Sequence, residues 1–336
     1  MKVLILGRQE SLYNAAKLLA EQTSHEVVAI ITSKSMPEYL KDEKDFENLA
    51  AGCGAPFLKT QNLDENTLKL IKKSNADIGV SLNWPALISQ EVLDMFPLGI
   101  LNAHSGNLPR FRGNAVANWA ILNGEDKIVF TIHQMVASGV DEGAILLQRE
   151  MPLNDETTIQ DINERGALEY PAMFAEVLAG LEAGNLSPIP QSIRGVSPVR
   201  CYPRLPRDGR INWSLPAMEI HALVRSLTKP YAGAFTYYRD SQDKLRRLYI
   251  WKTRLAAPDG SGVLGMPGHV IENNPGTGES RVLTGDGILT LCEASHGLEE
   301  STFKPGKLWK SVRMRLGMDV EEEIFRIIST TELRST

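Results

Sequence analysis

The first 150 residues alternate short apolar runs with helical patterns, and this alternation constrains the fold more than any other feature of the chain. Residues 2–7 form an apolar run, and a helical pattern with Leu12, Ala15 and Leu19 on one face follows it. Residues 27–32 are β-branched and apolar throughout, as in a strand that is covered on both sides. The alternation predicts an α/β domain with a Rossmann-like, mainly parallel sheet and helices on both faces.

The same pattern continues to about residue 183, where Thr157 or Thr158 is positioned to cap a long final helix. The strand candidates have lengths of five to seven residues, and turn-forming residues separate them from the helical stretches. We predict strands at 76–82, 98–103, 129–135 and 144–148, and helices at about 44–52, 64–74, 114–123 and 157–183.

The remainder of the chain changes character. Residues 184–209 are rich in proline and glycine, which is typical of a linker or an extended arm that wraps a surface. A helix near 215–228 precedes several short strands, and Asp286–Gly287 suits a tight hairpin turn. We predict strands at 234–240, 245–252 and 268–273 and a hairpin at 281–294. The predicted domains are a catalytic domain (1–183), a linker (184–209) and a β-rich, barrel-like domain of OB type with a helical tail (210–336).

Composition narrows the class of protein. The chain is 43% hydrophobic and 23% charged, and no apolar run approaches the roughly 18 residues of a membrane-spanning helix. Its net charge of −5 makes a nucleic-acid substrate unlikely, because binding to phosphate backbones usually requires a basic face. The odd number of widely spaced cysteines, Cys53, Cys201 and Cys292, indicates free thiols. We therefore expect a cytoplasmic protein that has no contact with a membrane.

Common cofactor motifs are missing from the sequence. The first strand leads into GRQES instead of G-x-G-x-x-G, which removes the main support for a nicotinamide cofactor. The chain contains neither a Walker A pattern nor H-E-x-x-H, and its six histidines are dispersed. We therefore predict that the protein does not use a metal.

The most informative segment is 98–119, in which an apolar strand runs directly into Asn102-Ala103-His104 and then into a polar loop. In α/β sheets, ligands bind beyond the carboxyl ends of strands, and residues two apart on a strand point to the same side. Asn102 and His104 would then project together, one as an amide donor and one as an imidazole that moves a proton near neutral pH. The residues alone are equally compatible with an asparagine that caps the turn and a histidine that is hydrogen-bonded to backbone.

Two signatures distinguish between these interpretations. The segment NAHSGNLPRFRG resembles the N-x-H-x-x-x-L-P-x-x-R-G signature of the 10-formyltetrahydrofolate-dependent formyltransferases. The segment 129–148 resembles the second signature of that family, and Asp141 occupies the position of its acidic residue. The segment 211–237 resembles the start of the family's C-terminal domain. The resemblance covers most of the chain and is weakest over the first 75 residues.

The resemblance implies that Asn102, His104 and Asp141 are the catalytic residues. An amine must be neutral to attack a formyl carbon, so a base has to take a proton, and His104 suits that role. Attack places negative charge on the formyl oxygen, which the Asn102 amide or a protonated His104 would stabilise. Asp141 would orient His104 and favour its protonated form. The implied formyl donor is 10-formyltetrahydrofolate.

The implied binding residues rest on the resemblance alone. In the family, the folate lies near the strand that precedes the first signature and near the loop that precedes the aspartate. Trp84 can also be interpreted as a core aromatic residue, and His133 is predicted to be a packed structural histidine. The predicted folate contacts are Leu82, Asn83, Trp84, Leu87, Met135, Val136, Ala137 and Gly139, and the predicted acceptor contacts are Ser105, Arg110 and Arg112.

The acceptor amine is predicted from two comparisons within the family: the chain departs from the members that act on tRNA and resembles those that act on sugars. Family members that act on tRNA begin G-T-P-x-F-A-x-x-x-L, whereas this chain has GRQESLYNAAKLL, and acidic residues outnumber lysines in the loop that follows its second strand. The segment 118–135 resembles sugar N-formyltransferases such as the module that acts on UDP-4-amino-4-deoxy-arabinose. A nucleotide-linked amino sugar is therefore the leading acceptor, and a homodimer is one option for the assembly.

Three alternatives remain open. The first is a methionyl-tRNA formyltransferase. The second is a hydrolase that transfers the formyl group to water, and the third is a binding module with a decayed site. The presence of Asn102, His104 and Asp141 together argues against the third.

Overall fold

The computed structural model describes residues 1–256, 262–309, 311 and 313–334. Contacts within the chain divide it into two compact units, Met1–Arg204 and Leu205–Thr336. The Pro- and Gly-rich segment that starts at residue 184 therefore packs with the first unit as far as Arg204.

The first unit is built on a seven-stranded sheet. Its strands are β1 (Lys2–Gly7), β2 (Glu26–Thr32), β3 (Phe57–Lys59), β4 (Ile78–Leu82), β5 (Ile100–Ser105), β7 (Lys127–Gln134) and β8 (Ile145–Pro152), and β6 (Phe111–Gly113) and β9 (Val199–Cys201) form a separate pair. The order is β3-β2-β1-β4-β5-β7-β8, with the first five strands parallel and β7 and β8 antiparallel. The predicted mainly parallel sheet is confirmed, and its antiparallel edge was not anticipated by the alternating pattern.

Six helices accompany this sheet: α1 (Glu10–Gln22), α2 (Glu43–Gly52), α3 (Glu65–Ser74), α4 (Gln90–Leu93), α5 (Val116–Leu122) and α6 (Ile159–Glu182). Helix α6 begins where the sequence predicts, because Thr158 and Asp161 form a capping box at its first turn. One face of the helix, which includes Met173 and Phe174, is buried, and Tyr170 packs edge-on against Phe130 of β7 with ring centroids 5.4 Å apart. This helix therefore supports the strand next to β5.

The GRQES segment begins with a glycine for a steric reason. Gly7 has φ +144°, and a Cβ on it would lie 2.0 Å from the carbonyl oxygen of Leu82. The next backbone amide, that of Arg8, donates to the same oxygen at 3.1 Å. The close approach joins the carboxyl ends of β1 and β4, so this glycine serves strand packing.

Three strands of three residues each were not predicted, because so short a run carries no periodicity: β3, β6 and β9. Strand β9 lies in the segment predicted as a linker or arm and pairs in parallel with β6, which directly follows the Asn102 loop. Ile189 of the same segment forms a bridge with Ile145. The segment is thus an extended arm that is hydrogen-bonded along the first unit.

The second unit is built on an antiparallel sheet. Its elements are α7 (Ala217–Leu227), β10 (Ala234–Arg239), β11 (Leu245–Leu255), β12 (Val270–Asn273), β13 (Ser280–Leu283), β14 (Ile288–Ser295) and α8 (Val320–Arg334). The strands lie in the order β10-β11-β14-β13-β12. A hydrophobic cluster that includes Trp213, Ile220, Leu248 and Leu291 lies beneath the sheet. This unit confirms the predicted β-rich C-terminal fold.

In the described part of the chain, the helices are too short or too polar for a membrane-crossing segment. The three cysteines carry free thiols, and Cys201 is buried.

Helix α6 offers a direct test of the first unit's packing. Phe174 is fully buried, whereas Leu168 on the same helix is 74% exposed. We expect Phe174→Ala to lower the free energy of unfolding by about 3–5 kcal/mol through lost burial and a residual cavity. Leu168→Ala should change it by less than about 0.5 kcal/mol. Urea denaturation followed by circular dichroism measures both, and equal effects would contradict the packing described for α6.

Candidate active site

The register between β5 and β7 brings three polar side chains to one face of the sheet. Asn102 and His104 are two residues apart on β5 and point to the same side. In the antiparallel register, Asn102 lies opposite His133 and His104 lies opposite Thr131. Residues directly opposite each other share a face, so His133 joins Asn102 and His104. The Nδ2 atom of Asn102 lies 3.2 Å from Nε2 of His133.

Asp141 bridges the two histidines. Its Oδ2 lies 3.6 Å from Nδ1 of His104, and its Oδ1 lies 3.4 Å from Nε2 of His133. The backbone amide of Gly113 donates to Oδ2 at 2.7 Å. Asp141 has φ +55°, a left-handed conformation that few non-glycine residues adopt. The loop therefore holds a strained residue at the position where its carboxylate reaches both rings.

The hydrogen-bond partners of His104 define its reactive atom. Its Nε2 lies 2.8 Å from the carbonyl oxygen of Phe111, which can only accept, so Nε2 carries the hydrogen. Nδ1, which faces Asp141, is then the nitrogen that gains or loses a proton. Burial lowers the pKa of His104, and the nearby Asp141 carboxylate opposes this effect only in part. The imidazole is thus a neutral base at neutral pH.

Asp141 is the negative charge of the site. Burial alone would raise its pKa, but attraction to the His104 imidazolium that forms in acid, the contact with the His133 ring and the hydrogen bond from the Gly113 amide together outweigh that effect. The net result is a pKa far below the usual range of a carboxyl group. The site therefore contains a permanently ionised carboxylate next to a neutral imidazole.

His133 contacts both Asn102 and Asp141. Its Nδ1 donates to the carbonyl oxygen of Gln134 at 2.8 Å, so its Nε2 carries no hydrogen in the neutral ring. This Nε2 accepts from the Asn102 amide and lies 3.4 Å from Oδ1 of Asp141. The prediction of a packed structural histidine describes its burial, but it missed these contacts with two predicted site residues.

A second layer holds the Asp141 loop. Gln191, from the extended arm, is buried, and its Nε2 donates to the carbonyl oxygens of Asp141 and Gly143 at 2.7 and 2.8 Å. Arg112 donates to Oε1 of Gln191 from two of its nitrogens, at 3.1 and 2.7 Å, and pairs with Glu142 at 3.2 Å. The arm thus contributes to the geometry of the site.

Gly106 packs tightly against His104. A Cβ on Gly106 would lie 2.3 Å from Nε2 of His104 and 2.7 Å from the Phe111 carbonyl oxygen that this nitrogen contacts. The carbonyl oxygen of Gly106 accepts from Oγ1 of Thr131 at 2.8 Å. The loop after β5 therefore requires a glycine here in order to keep the His104 ring in place.

The predicted acceptor contacts are separated from this face or already engaged. Ser105 follows His104 on β5 and so points to the other side of the sheet, where its Oγ lies 2.7 Å from the hydroxyl oxygen of Tyr170. Arg110 is exposed and pairs with Glu125 at 2.7 Å. Arg112 braces the Asp141 loop, as described above. Of these three predicted contacts, only Arg112 belongs to the network of contacts around the trio of Asn102, His104 and Asp141.

The predicted folate contacts lie on the two loops named from the sequence. Leu82 ends β4 and is buried, and Asn83 has φ +55° and contacts Gln9 and Tyr39 through its side chain. Met135 and Ala137 pack with Trp84 against one hydrophobic cluster. Leu87 and Val136 are exposed, and Gly139 lies against the Glu142 side chain. Trp84 is thus partly a core residue, and its Nε1 has no hydrogen-bond partner among the described residues.

Sequence reasoning missed Gln191 and the contacts of His133. The only sequence signal for His133 was its position two residues after Thr131 on a predicted strand. This spacing indicates that the two side chains share a face of the sheet, but it does not identify the residues on the neighbouring strand. Gln191 lies about 50 residues after Asp141 in a Pro- and Gly-rich segment that carries no periodic signal. In the described part of the chain, no cluster of three or more His, Cys, Asp or Glu residues is arranged to hold a metal ion.

Comparison with known proteins adds to this geometry. Residues 1–178 match the family described as formyl transferase, and residues 205–302 match its C-terminal domain. A methionyl-tRNA formyltransferase of Solibacter usitatus is 31% identical over 277 residues, which cover 81% of this chain and 84% of that protein.

Solved structures share the fold at low identity. An N-formyltransferase from Helicobacter canadensis, in complex with folinic acid and dTDP-3-aminofucose, has a TM-score of 0.62 at 17% identity, over 88% of this chain and all of that one (100%). A variant of HypX from Aquifex aeolicus has a TM-score of 0.58 at 15% identity, over 93% of this chain but only 49% of HypX. The family match over more than half of the chain and the 31% identical relative together show that this protein belongs to the formyl transferase family.

Proposed function

We propose that the protein transfers a formyl group from 10-formyltetrahydrofolate to the primary amine of a nucleotide-linked amino sugar. The observation that carries the formyl-transfer step is the buried, neutral His104, whose Nδ1 lies 3.6 Å from the ionised Asp141 on the face shared with Asn102. A base, a counter-charge and an amide donor in one place are the groups that acyl transfer to an amine requires.

Each side chain of the trio has a separate task. His104 Nδ1 takes the proton that the amine loses, and the Asp141 carboxylate stabilises the imidazolium that results. The Asn102 amide donates to the formyl oxygen as that oxygen gains negative charge. His133 accepts from the same amide group and so fixes its orientation. The imidazolium of His104 can then return its proton to the departing nitrogen.

The residues near the end of β4 suit the pteridine ring of the formyl donor, which supplies the electrophilic formyl carbon. Trp84, Met135 and Ala137 offer an apolar wall, and exposed Leu87 and Val136 extend it. The Nε1 of Trp84, which has no partner among the described residues, is a donor that a heteroatom of the ligand could satisfy after a small movement of the ring. These residues are the proposed folate contacts.

The acceptor assignment rests on the sequence and on relatives of similar fold. Residues 32–47, which run from the end of β2 into α2, contain five acidic residues and three lysines, and the chain has a net charge of −5, both of which disfavour tRNA. The Helicobacter canadensis relative was solved with an amino sugar linked to dTDP. Arg110 and Arg112 already pair with carboxylates, so neither is proposed as a phosphate contact.

Formylation of methionyl-tRNA is the second candidate. Its support is the Solibacter usitatus relative, which is 31% identical over 277 residues. The two candidates share the trio and differ only in the molecule that carries the amine. The acceptor therefore has to be identified by assay.

An acceptor panel tests both the reaction and the acceptor. We expect formate transfer from 10-formyltetrahydrofolate to at least one nucleotide-linked amino sugar, detected as a mass increase of about 28 Da, the mass of the added CO group. His104→Ala should reduce the rate by a factor on the order of 10²–10⁴, because the base is lost. The control is His296→Ala, since His296 is exposed and lies in the other unit. Formylation of methionyl-tRNA with no reaction on any amino sugar would establish the second candidate instead.

The pH profile tests the pairing of His104 with Asp141. The lowered pKa of His104 places the acid limb of kcat/KM below about pH 6.5, the ordinary value for histidine. Asp141→Asn removes the carboxylate that raises this pKa, so the limb should move to still lower pH while the plateau rate falls. Asp126→Asn, at an exposed position of the same unit, should change neither. A limb that moves to higher pH in Asp141→Asn would contradict the pairing.

His133 is a positioning residue whose effect should be on kcat. His133→Ala removes the acceptor for the Asn102 amide, and we expect kcat to fall about ten- to a hundredfold with little change in KM for the amine. His133→Gln retains an acceptor oxygen and should recover part of the loss. An increase in KM at unchanged kcat would instead make His133 a substrate contact.

A further inference from the structure

Strands β10 and β11 carry two very different faces. Their antiparallel register pairs Phe235 with Tyr249 and Tyr237 with Arg247. On the opposite face, Ala234, Tyr238, Leu248 and Ile250 belong to the hydrophobic cluster of the second unit. Alternation along the strands therefore leaves the aromatic and arginine face on the side away from that core.

Arg247 lies over two aromatic rings of this face. Its guanidinium carbon lies 4.6 Å from the ring centroid of Phe235 and 5.5 Å from that of Tyr237. Two of its nitrogens donate to the hydroxyl oxygens of Tyr237 and Tyr249, at 2.9 and 3.3 Å. A guanidinium has five N–H donors, so most of them remain available for a ligand. The side chain is preorganised, which reduces the entropy lost when it binds an anion.

Further arginines surround the same space. A cavity of about 1420 Å³ is lined by this face and by the segments on either side of it. Among the described residues, five arginines of the lining form no ion pair with a carboxylate. They are Arg247 and four others: Arg207, Arg210, Arg313 and Arg315.

The carboxylates of the cavity are already engaged. Glu323 pairs with Arg239, and Glu322 pairs with Arg326 at 3.0 Å. Asp319 accepts from the backbone amide of Glu322 at 3.0 Å, and Asp208 accepts from that of Leu205 at 2.7 Å. The lining thus contains six arginines against four carboxylates, which leaves it a net positive charge. Such a site favours a ligand that carries more than one negative charge.

We propose that this cavity binds a nucleoside diphosphate. The arginines would hold the phosphates, and the Arg247 guanidinium with the Tyr237 and Tyr249 rings would stack on the base. All of the lining residues lie in the second unit, whereas Asn102, His104 and Asp141 lie in the first. The proposal therefore adds a nucleotide site to the protein and does not depend on the acceptor assigned above.

The net charge of the chain favours a free nucleotide over a nucleic-acid strand, and the cavity is large enough for a nucleotide. Ligand pockets typically have volumes of about 300–1,000 Å³, so a cavity of about 1420 Å³ has room for a base, a sugar and two phosphates. Binding of a long strand relies on a basic surface along many phosphates, and the chain has a net charge of −5.

Calorimetric titration of the full chain tests the site. The probes are UDP, ADP, inorganic pyrophosphate and a single-stranded oligoribonucleotide. We expect a nucleoside diphosphate to bind the wild type, and Arg247→Glu to weaken that binding at least tenfold at one site. The matched control is Arg246→Glu, since Arg246 is the adjacent exposed residue of β11 and does not line the cavity. Arg313→Glu, outside the strands, serves as a second test if Arg247→Glu does not fold.

The number of sites separates this proposal from the proposed function. If both hold, the wild type titrates two nucleotide sites and Arg247→Glu retains one. If the acceptor is not nucleotide-linked, the wild type titrates one site and Arg247→Glu loses it. Unchanged nucleotide binding in both Arg247→Glu and Arg313→Glu would overturn the proposal. Pyrophosphate binding as tightly as the nucleotides, or binding of the oligoribonucleotide alone, would overturn it as well.

Discussion

The buried carboxylate of Asp141 is the interaction on which the site depends. Burial opposes its ionisation, and the charge persists only because two imidazoles and a backbone amide face it. In return, the charge lies within 3.6 Å of both rings and favours the imidazolium form of His104. Loss of any one partner would leave part of this charge uncompensated in a partly dry environment, so the site behaves as a single electrostatic unit.

The residues that surround the Asp141 carboxylate come from distant parts of the first unit. The antiparallel pairing of β5 and β7 supplies His133, and the loop before β8 supplies Asp141 in a left-handed conformation. The extended arm contributes Gln191, which holds the loop by two backbone carbonyls. The arm thus does more than connect the two units, because Gln191 holds the loop that carries the Asp141 carboxylate.

In the proposed function, formyl transfer and the choice of acceptor depend on different groups. The His104 base, the Asp141 charge and the Asn102 amide would serve any acceptor that presents a primary amine. Acceptor choice depends on contacts beyond the trio, and the sequence candidates Arg110 and Arg112 are engaged with Glu125 and Glu142. The arginine and aromatic face of β10 and β11 lines a separate cavity in the second unit.

The sequence alone determined the parallel α/β core, the β-rich second unit, the capped helix α6 and the pair Asn102 and His104, because periodicity, capping and strand parity are local properties. Asp141 was identified through the resemblance of a short signature. Tertiary structure decided the rest: the antiparallel turn of the sheet at β7, the contacts of His133, and the place of Gln191. These depend on pairing between segments about 30 to 90 residues apart, which no local pattern specifies.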